Sequence, residues 1–251
     1  APWLNYLGNG KFSGIITNTA GGLIFNKDSG NHRITRYRFN SIPWDRPGRY
    51  LYLRDTDSGE YWSASWQPVM KELDSYECRH GHGYTKIKGA YNGITSNTTY
   101  FIPLDKDYEV WKVTLKNDTD KPRNLRAFTY IEFSSYKAQY DIQCDWPRYF
   151  MSGWNEGNAA VFDPSDDWLN VDKRLSFIGT NLTIAGFDCD RDIFIGRYRS
   201  ESNPIAVEKG ECRNTTVNAD NCCGSICADI SLKAHEEKEF YVIVGITDDS
   251  K

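Results

Sequence analysis

Hydrophobic and polar positions alternate with a period of two along much of the chain. In YEVWKVTLKN, Tyr108 to Asn117, the residues Trp111, Val113 and Leu115 fall on one side, and Lys112, Thr114 and Lys116 on the other. Successive side chains of a strand point to opposite faces, so this spacing predicts a half-buried strand. Phe240, Val242, Val244 and Ile246 make a second inward face, with Ile243 between them, a pattern that allows cover on both sides. Tyr84–Lys88 and Ile94–Pro103 read as strands around Asn92-Gly93, a dipeptide that tolerates the positive φ values of a tight hairpin. Tyr50–Asp55 and Tyr61–Ser65 flank Asp57-Ser58-Gly59 in the same way, and Asn117–Pro122 is a turn before the strand Leu125–Phe133.

A helical period is scarce. Val69–Tyr76 is the one stretch that predicts a turn or two of helix. Strand-like runs recur roughly every 8–12 residues with turn signals between them. No regular alternation of strand and long helix appears, which argues against a parallel α/β sheet. No repeat of fixed period is visible either. The pattern therefore predicts an all-β fold, a large antiparallel β-sandwich with little helix. One long irregular zone, Ser134 to Asp172, is rich in Asp, Trp, Asn and Gly, and loops of that length tend to carry function.

Length and composition sharpen this picture. With 251 residues the chain fits one large β domain or two small ones. A formal net charge of −4 and the lack of any long basic run give a nucleic-acid surface little support. No apolar run approaches the roughly 20 residues that a spanning helix needs, so a membrane partner is not expected. The chain opens with Ala1-Pro2-Trp3, without an initiator Met or a charged-then-apolar leader, which points to a piece of a longer protein. Aromatic residues reach 14%, including 16 Tyr and 8 Trp, which fits either a well-filled β core or platforms for sugar rings. Seven cysteines are an odd number and too few for a cystine scaffold, so reduced thiols in a cytoplasmic protein are expected. The sequons at Asn97, Asn117, Asn181 and Asn214 read as chance occurrences in such a protein.

Candidate chemistry is thin. Cys78, His80 and His82 sit two apart, so on one strand they would share a face. C-x-H-x-H is not a common zinc spacing and no fourth ligand stands nearby, so no metal is assigned; Gly81 and Gly83 shape a bend and the histidines hydrogen-bond locally. Cys212, Cys222, Cys223 and Cys227 lack a second C-x-x-C pair and read as small buried residues. Asp188, Asp190, Arg191 and Asp192 suggest a local ion pair or turn, and Asp163, Asp166 and Asp167 offer further paired acids. Phosphate-loop, dinucleotide, zincin and nucleophile-elbow motifs are all absent.

Several stretches taken together are distinctive: PWLNYLGNGKFSGIITNTAGG, RITRYRFN, DRPGRYLYLRD, YWSASWQPV, YECRHGHGYTKI, FIPL, AFTYIEF, GFDCDRDIFIG and NPIAVEKGECRN. In this order they resemble the N-terminal β-sandwich of the disaccharide phosphorylases of glycoside hydrolase family 94, over nearly the whole chain. RITRYR and YECRHGHGYTKI look more cellobiose-type. DRPGRYLYLRDTDSG, YWSASWQPV and NADNCCGS look more chitobiose-type.

The resemblance implies a galactose-mutarotase-like supersandwich, occupying residues 1–251 as a single domain. It implies a longer parent protein, in which a helical linker and an (α/α)6 barrel follow. That barrel holds a general-acid Asp in a D-W-N-D-type motif. Inorganic phosphate attacks the anomeric carbon of a β-linked disaccharide with inversion and yields an α-sugar 1-phosphate, without metal or organic cofactor. Members are usually homodimers, and a loop of the sandwich reaches the partner's active-site entrance.

Asp167-Trp168-Leu169-Asn170 lacks the second Asp of that motif and lies in a sandwich loop, so Asp167 is not assigned as the acid. No catalytic residue is assigned in this chain, which by itself is expected not to catalyse. The loop after AFTYIEF matches the family's crossing loop, where cellobiose-type members carry a Q-R pair. Here it reads Trp146-Pro147-Arg148, keeping the Arg. Arg148 is accordingly the leading substrate-binding candidate, as a guanidinium donor to hydroxyls or phosphate, with Trp146 for stacking and Asp145 for hydrogen bonding. Two further readings stand beside this one. One is a free-standing, non-catalytic carbohydrate-binding or structural sandwich. The other is a sandwich that assembles with a separately encoded catalytic chain.

Overall fold

The structure is a computed structural model that describes residues 3–37, 45–143, 149–164 and 174–248. In chain order the first strands are β1 (Leu4–Gly8), β2 (Phe12–Thr17), β3 (Gly22–Asn26), β4 (Arg33–Thr35), β5 (Tyr50–Asp55) and β6 (Tyr61–Ser63). A meander follows: β7 (Ser75–Gly81), β8 (Tyr84–Tyr91), β9 (Ile94–Phe101) and β10 (Tyr108–Asn117). Next come β11 (Arg123–Tyr136), the short helix α1 (Ala138–Gln143), β12 (Ser152–Glu156), β13 (Ala159–Asp163) and β14 (Leu175–Thr180). The chain ends with β15 (Gly186–Asp190), helices α2 (Arg191–Ile195) and α3 (Ile205–Lys209), β16 (Val217–Asn218), β17 (Cys222–Leu232) and β18 (Glu237–Thr247).

Among the described residues these strands form two nine-stranded antiparallel sheets packed as a sandwich. One runs β1-β2-β3-β4-β11-β17-β15, with β5 and β6 off the β11 edge; the other runs β16-β12-β13-β14-β18-β10-β9-β8-β7. The fourteen-residue β11 organises the first sheet. One of its edges pairs with β17, and the other is shared by β5 at its start and β4 at its end.

The predicted alternation of Tyr108–Asn117 corresponds to β10. Trp111, Val113 and Leu115 are buried, with Tyr100 and Val242 opposite Trp111 on its two neighbours. The Asn92-Gly93 hairpin forms between β8 and β9 with φ of 48° and 76°, the doubly left-handed turn that matches strand twist. On β18, Ile243 is only half-buried and Tyr241 is exposed, so this strand is well covered on one face only.

Two expectations are corrected. Val69–Tyr76 forms no helix: Met70 takes a left-handed φ of 58°, and β7 begins at Ser75. Tyr76 is instead drawn into the ladder, its hydroxyl donating to the carbonyls of Asn18 at 2.5 Å and Ser65 at 3.1 Å. The zone from Ser134 is also more ordered than its composition suggests, since it holds the end of β11, α1, and the β12–β13 hairpin turned at Gly157 with φ 58°.

The main core lies between the sheets, where Phe133 and Phe162 stack at 4.7 Å. A second apolar cluster sits on the outer face of β5, β11 and β17. There Tyr50, Tyr52, Phe128 and Tyr130 are covered by Phe194, Ile195, Ala206 and Val207 of α2 and α3. Asp190 caps α2 by accepting from the backbone N–H groups of Asp192 and Ile193.

One charged pair crosses the core. Arg49, just before β5, donates from Nε to Glu109 of β10 at 2.5 Å, and both side chains are almost wholly buried. The guanidinium also donates to the carbonyls of Ile15, Gly21 and Leu23, while Trp111 Nε1 donates to Glu109 at 2.9 Å. A Cβ on Gly14 would stand 2.9 Å from Arg49 Nη2, so glycine leaves the room this guanidinium needs.

Removing one partner strands a buried charge, which costs about 3–5 kcal/mol. Arg49→Met and Glu109→Leu should each destabilise by that order in urea unfolding, and the double variant should recover most of the loss. Additive losses would show that the pair is not coupled.

Candidate functional site

The loop between β3 and β4 and helix α1 together build a cleft of about 580 Å³ at one end of the sandwich, lined in part by Asn31, Arg33, Lys137, Gln139, Tyr140 and Gln143. Its near wall is an Asp28 turn. The Asp28 carboxylate accepts from the backbone N–H groups of Asn31 at 2.8 Å and Gly30 at 2.6 Å, contacts that also hold its pKa below the ordinary value. The two walls are tied together. Ala138 N–H donates to the Gly30 carbonyl at 2.9 Å, and Lys137 Nζ donates to Asn31 Oδ1 at 3.3 Å.

The inner face of α1 is anchored by Asp141. Its carboxylate accepts from the Ser134 hydroxyl at 2.5 Å and from the backbone and hydroxyl of Ser135 at 3.3 and 3.0 Å. Burial pushes the Asp141 pKa up, and the serine contacts and the Arg36 guanidinium pull against that. The cleft thus presents amides, a phenol, an ammonium and a guanidinium. These are donors and acceptors suited to a polyhydroxylated ligand, with no pair of carboxylates among the described residues that line it.

Asp145, Trp146 and Arg148, the residues singled out for substrate binding, lie outside the described residues, and so do Asp166 and Asp167-Trp168-Leu169-Asn170. The described chain on either side of the first group is informative. Gln143 lines the cleft, and Tyr149 and Phe150 are exposed aromatics.

The remaining candidates separate. Cys78 and His80 share a face of β7, with Cys78 Sγ 3.8 Å from His80 Nε2 and His80 Nδ1 2.9 Å from Thr85 Oγ1. His82 occupies the hairpin turn after β7, so strand periodicity does not carry it to that face. Burial pushes the Cys78 thiol up to about 11. Among the described residues no three His, Cys, Asp or Glu groups converge as a metal site. Asp188 is buried and accepts from the backbone N–H groups of Arg213 and Thr215 and from the Thr215 hydroxyl. Arg191 stands 3.7 Å from Asp192 and Asp190 caps α2, so the expected local ion-pair and turn roles hold, and Arg191 also bridges Glu132 at 2.8 Å and Glu201 at 2.9 Å. Sequence reasoning missed Glu132 and Glu201. An acid inside the apolar run AFTYIEF was the available signal for the first.

Two packed antiparallel sheets of this size, closed by short helices, define a β-supersandwich. Residues 1–251 match the family model described as glycosyl hydrolase 94, supersandwich domain, and the chain belongs to that family. It is 41% identical over 254 residues to the N,N'-diacetylchitobiose phosphorylase of Vibrio proteolyticus, covering 98% of this chain and 31% of that protein. It is 27% identical over 254 residues to the solabiose phosphorylase of Paenibacillus borealis, covering 98% of this chain and 32% of that one. The chain spans about a third of the length of the curated relatives it matches. A putative aldose 1-epimerase from Escherichia coli K12 shares the fold, with a TM-score of 0.54 at 9% identity over 98% of this chain and 99% of that chain. No helix among the described residues is long and apolar enough to cross a membrane.

The raised pKa of Asp141 sets a pH dependence. Well below the ordinary value of 3.8 the carboxyl is protonated folded or unfolded, and its contribution to stability is fully present. As pH rises through the folded pKa that contribution is lost, because a buried charge forms. Asp141→Asn should therefore gain stability relative to the parent between pH 4 and pH 7 in urea titrations. A gap that stays constant over this range would show that the Asp141 pKa is not raised.

Proposed function

We propose that this chain is the N-terminal sandwich of an inverting disaccharide phosphorylase. The observation that carries this reading is the 41% identity over 98% of the chain to a diacetylchitobiose phosphorylase, against 27% to a solabiose enzyme. In the longer protein, inorganic phosphate attacks the anomeric carbon of a β-linked disaccharide from the face opposite the leaving sugar. An α-sugar 1-phosphate and a free acceptor sugar result. The general acid and the phosphate site belong to the remaining two-thirds of the relatives' length. No metal or organic cofactor enters this scheme, and the setting is cytoplasmic.

The sandwich contributes in two ways. It supports a homodimer, and it offers Arg148, with Trp146 and Asp145, to the hydroxyls of the acceptor sugar. The cleft supports this reading, because its wall ends at Gln143, five residues before Arg148, and its lining includes the amides of Asn31, Gln139 and Gln143.

The test uses the full-length protein with phosphate and either diacetylchitobiose or cellobiose. Release of a sugar 1-phosphate from diacetylchitobiose is expected, and the isolated chain should release none from either sugar. In the synthetic direction Arg148→Ala should raise the acceptor KM roughly ten-fold or more, the order for a lost hydrogen bond to a charged group, without lowering the unfolding midpoint. An unchanged KM removes Arg148 from the acceptor site. Product from the isolated chain overturns the placement of the acid elsewhere.

A further inference from the structure

Cys212 and Cys227 are two free thiols that approach each other over Gly186 on the outer face of the first sheet. Cys227 projects from β17 opposite Gly186 of β15. Cys212 follows α3, in a stretch fastened down on both sides of it. Arg126 Nη1 donates to the Gly210 carbonyl at 2.7 Å, Arg213 and Thr215 N–H groups donate to buried Asp188, and Phe187 N–H donates to Asn214 Oδ1 at 3.1 Å. Gly186 leaves the space between the two thiols open: a Cβ there would stand 3.3 Å from Cys212 Cβ and 3.4 Å from Cys227 Sγ.

The two cysteines differ in character. Cys227 faces Cys212 and, beyond it, the Arg126 guanidinium, neighbours that together lower its pKa. The neighbouring Cys227, burial and then the Asp188 carboxylate raise the pKa of Cys212. Arg126 is itself paired with Asp229 at 2.6 Å, so its charge is shared between that carboxylate and the thiols. Cys227 is buried, and Cys212 beside it is partly exposed. Nearby Cys223 lies four residues before Cys227 on the same strand, about 13 Å away, beyond bonding reach.

We propose that Cys212 and Cys227 form an oxidisable dithiol site, which hydrogen peroxide closes to an intrachain disulfide that straps the segment after α3 to β17. The Cys227 thiolate attacks one peroxide oxygen. The O–O bond breaks, hydroxide leaves and takes up a proton as water, and Cys227 becomes a sulfenic acid. The Cys212 sulfur then attacks the Cys227 sulfur. An S–S bond forms, the S–O bond breaks, and a second water leaves with the Cys212 proton, which Asp188 is placed to relay. Two thiols give up two electrons, and one peroxide becomes two waters. The bond closes over a glycine, on a segment already fastened in place, so little chain entropy opposes it.

The test treats the reduced chain with about one equivalent of hydrogen peroxide, blocks remaining thiols with iodoacetamide, and maps peptides by mass spectrometry without reduction. Two of the seven cysteines should escape alkylation, joined in one Cys212–Cys227 linked peptide that dithiothreitol releases. The oxidised chain should unfold at a temperature several degrees higher. In Cys212→Ser the linked peptide should vanish and dimedone should label Cys227. Seven alkylated cysteines, or a link that joins a different pair such as Cys189 and Cys222, would overturn the proposal. The wild-type map stands even if a serine variant fails to fold.

Discussion

The Arg49–Glu109 pair is the constraint on which the sandwich depends. A guanidinium in a dry interior is tolerable only when nearly all its donors are met, and here three carbonyls and one carboxylate meet them. The carbonyls belong to β2, β3 and the turn between them in the first sheet, and the carboxylate to β10 in the second. The two sheets are therefore registered to each other by directional contacts as well as by apolar packing, which alone would tolerate sliding. Gly14 and the indole of Trp111 are shaped around the same point. Apolar residues dominate the core between the sheets around a geometry that this pair defines.

A second polar arrangement works outside the sandwich. Arg191 opens α2 and reaches Glu132 on β11 and Glu201 in the segment between α2 and α3, while the Tyr52 hydroxyl donates to the Glu201 carbonyl at 2.7 Å. The helices are too short to hold their shape alone. They persist because Asp190 caps the first, Gly210 ends the second in a left-handed conformation, and both bury their apolar residues on the tyrosines of β5 and β11. The outer face of this sheet is therefore a second core, and Cys212 and Cys227 lie at its margin.

Strands whose neighbours alternate in polarity were legible from the sequence. β10 and the Asn92-Gly93 hairpin follow from period-two spacing and the φ demands of a tight turn, both local properties. Val69–Tyr76 misled because its apolar spacing suits a helix, whereas Tyr76 bonds to Asn18, far away in sequence. The β12–β13 hairpin was hidden by polar composition, since Trp154, Asn155 and Glu156 sit in a strand whose outer face is solvated. The polar cleft could not be read at all: Asn31 and Lys137 meet only because β4 and the end of β11 pair. The family resemblance reached Arg148 through a motif, whereas Glu132 and Glu201 become partners only through Arg191.

The position of β18 has a consequence for how the molecule is made. This strand, the last among the described residues, lies in the interior of the second sheet, hydrogen-bonded to β10 on one side and β14 on the other. Until Thr247 has left the ribosome, those two strands present bare edges, and the sheet exists as separate pieces with their apolar faces only half covered. Contacts so distant in sequence make closure slow, and open edges invite pairing with other chains. A nascent sandwich of this topology therefore passes through a vulnerable interval whose length is set by translation, and it acquires its native protection only when its final strand slots between two that have long been waiting.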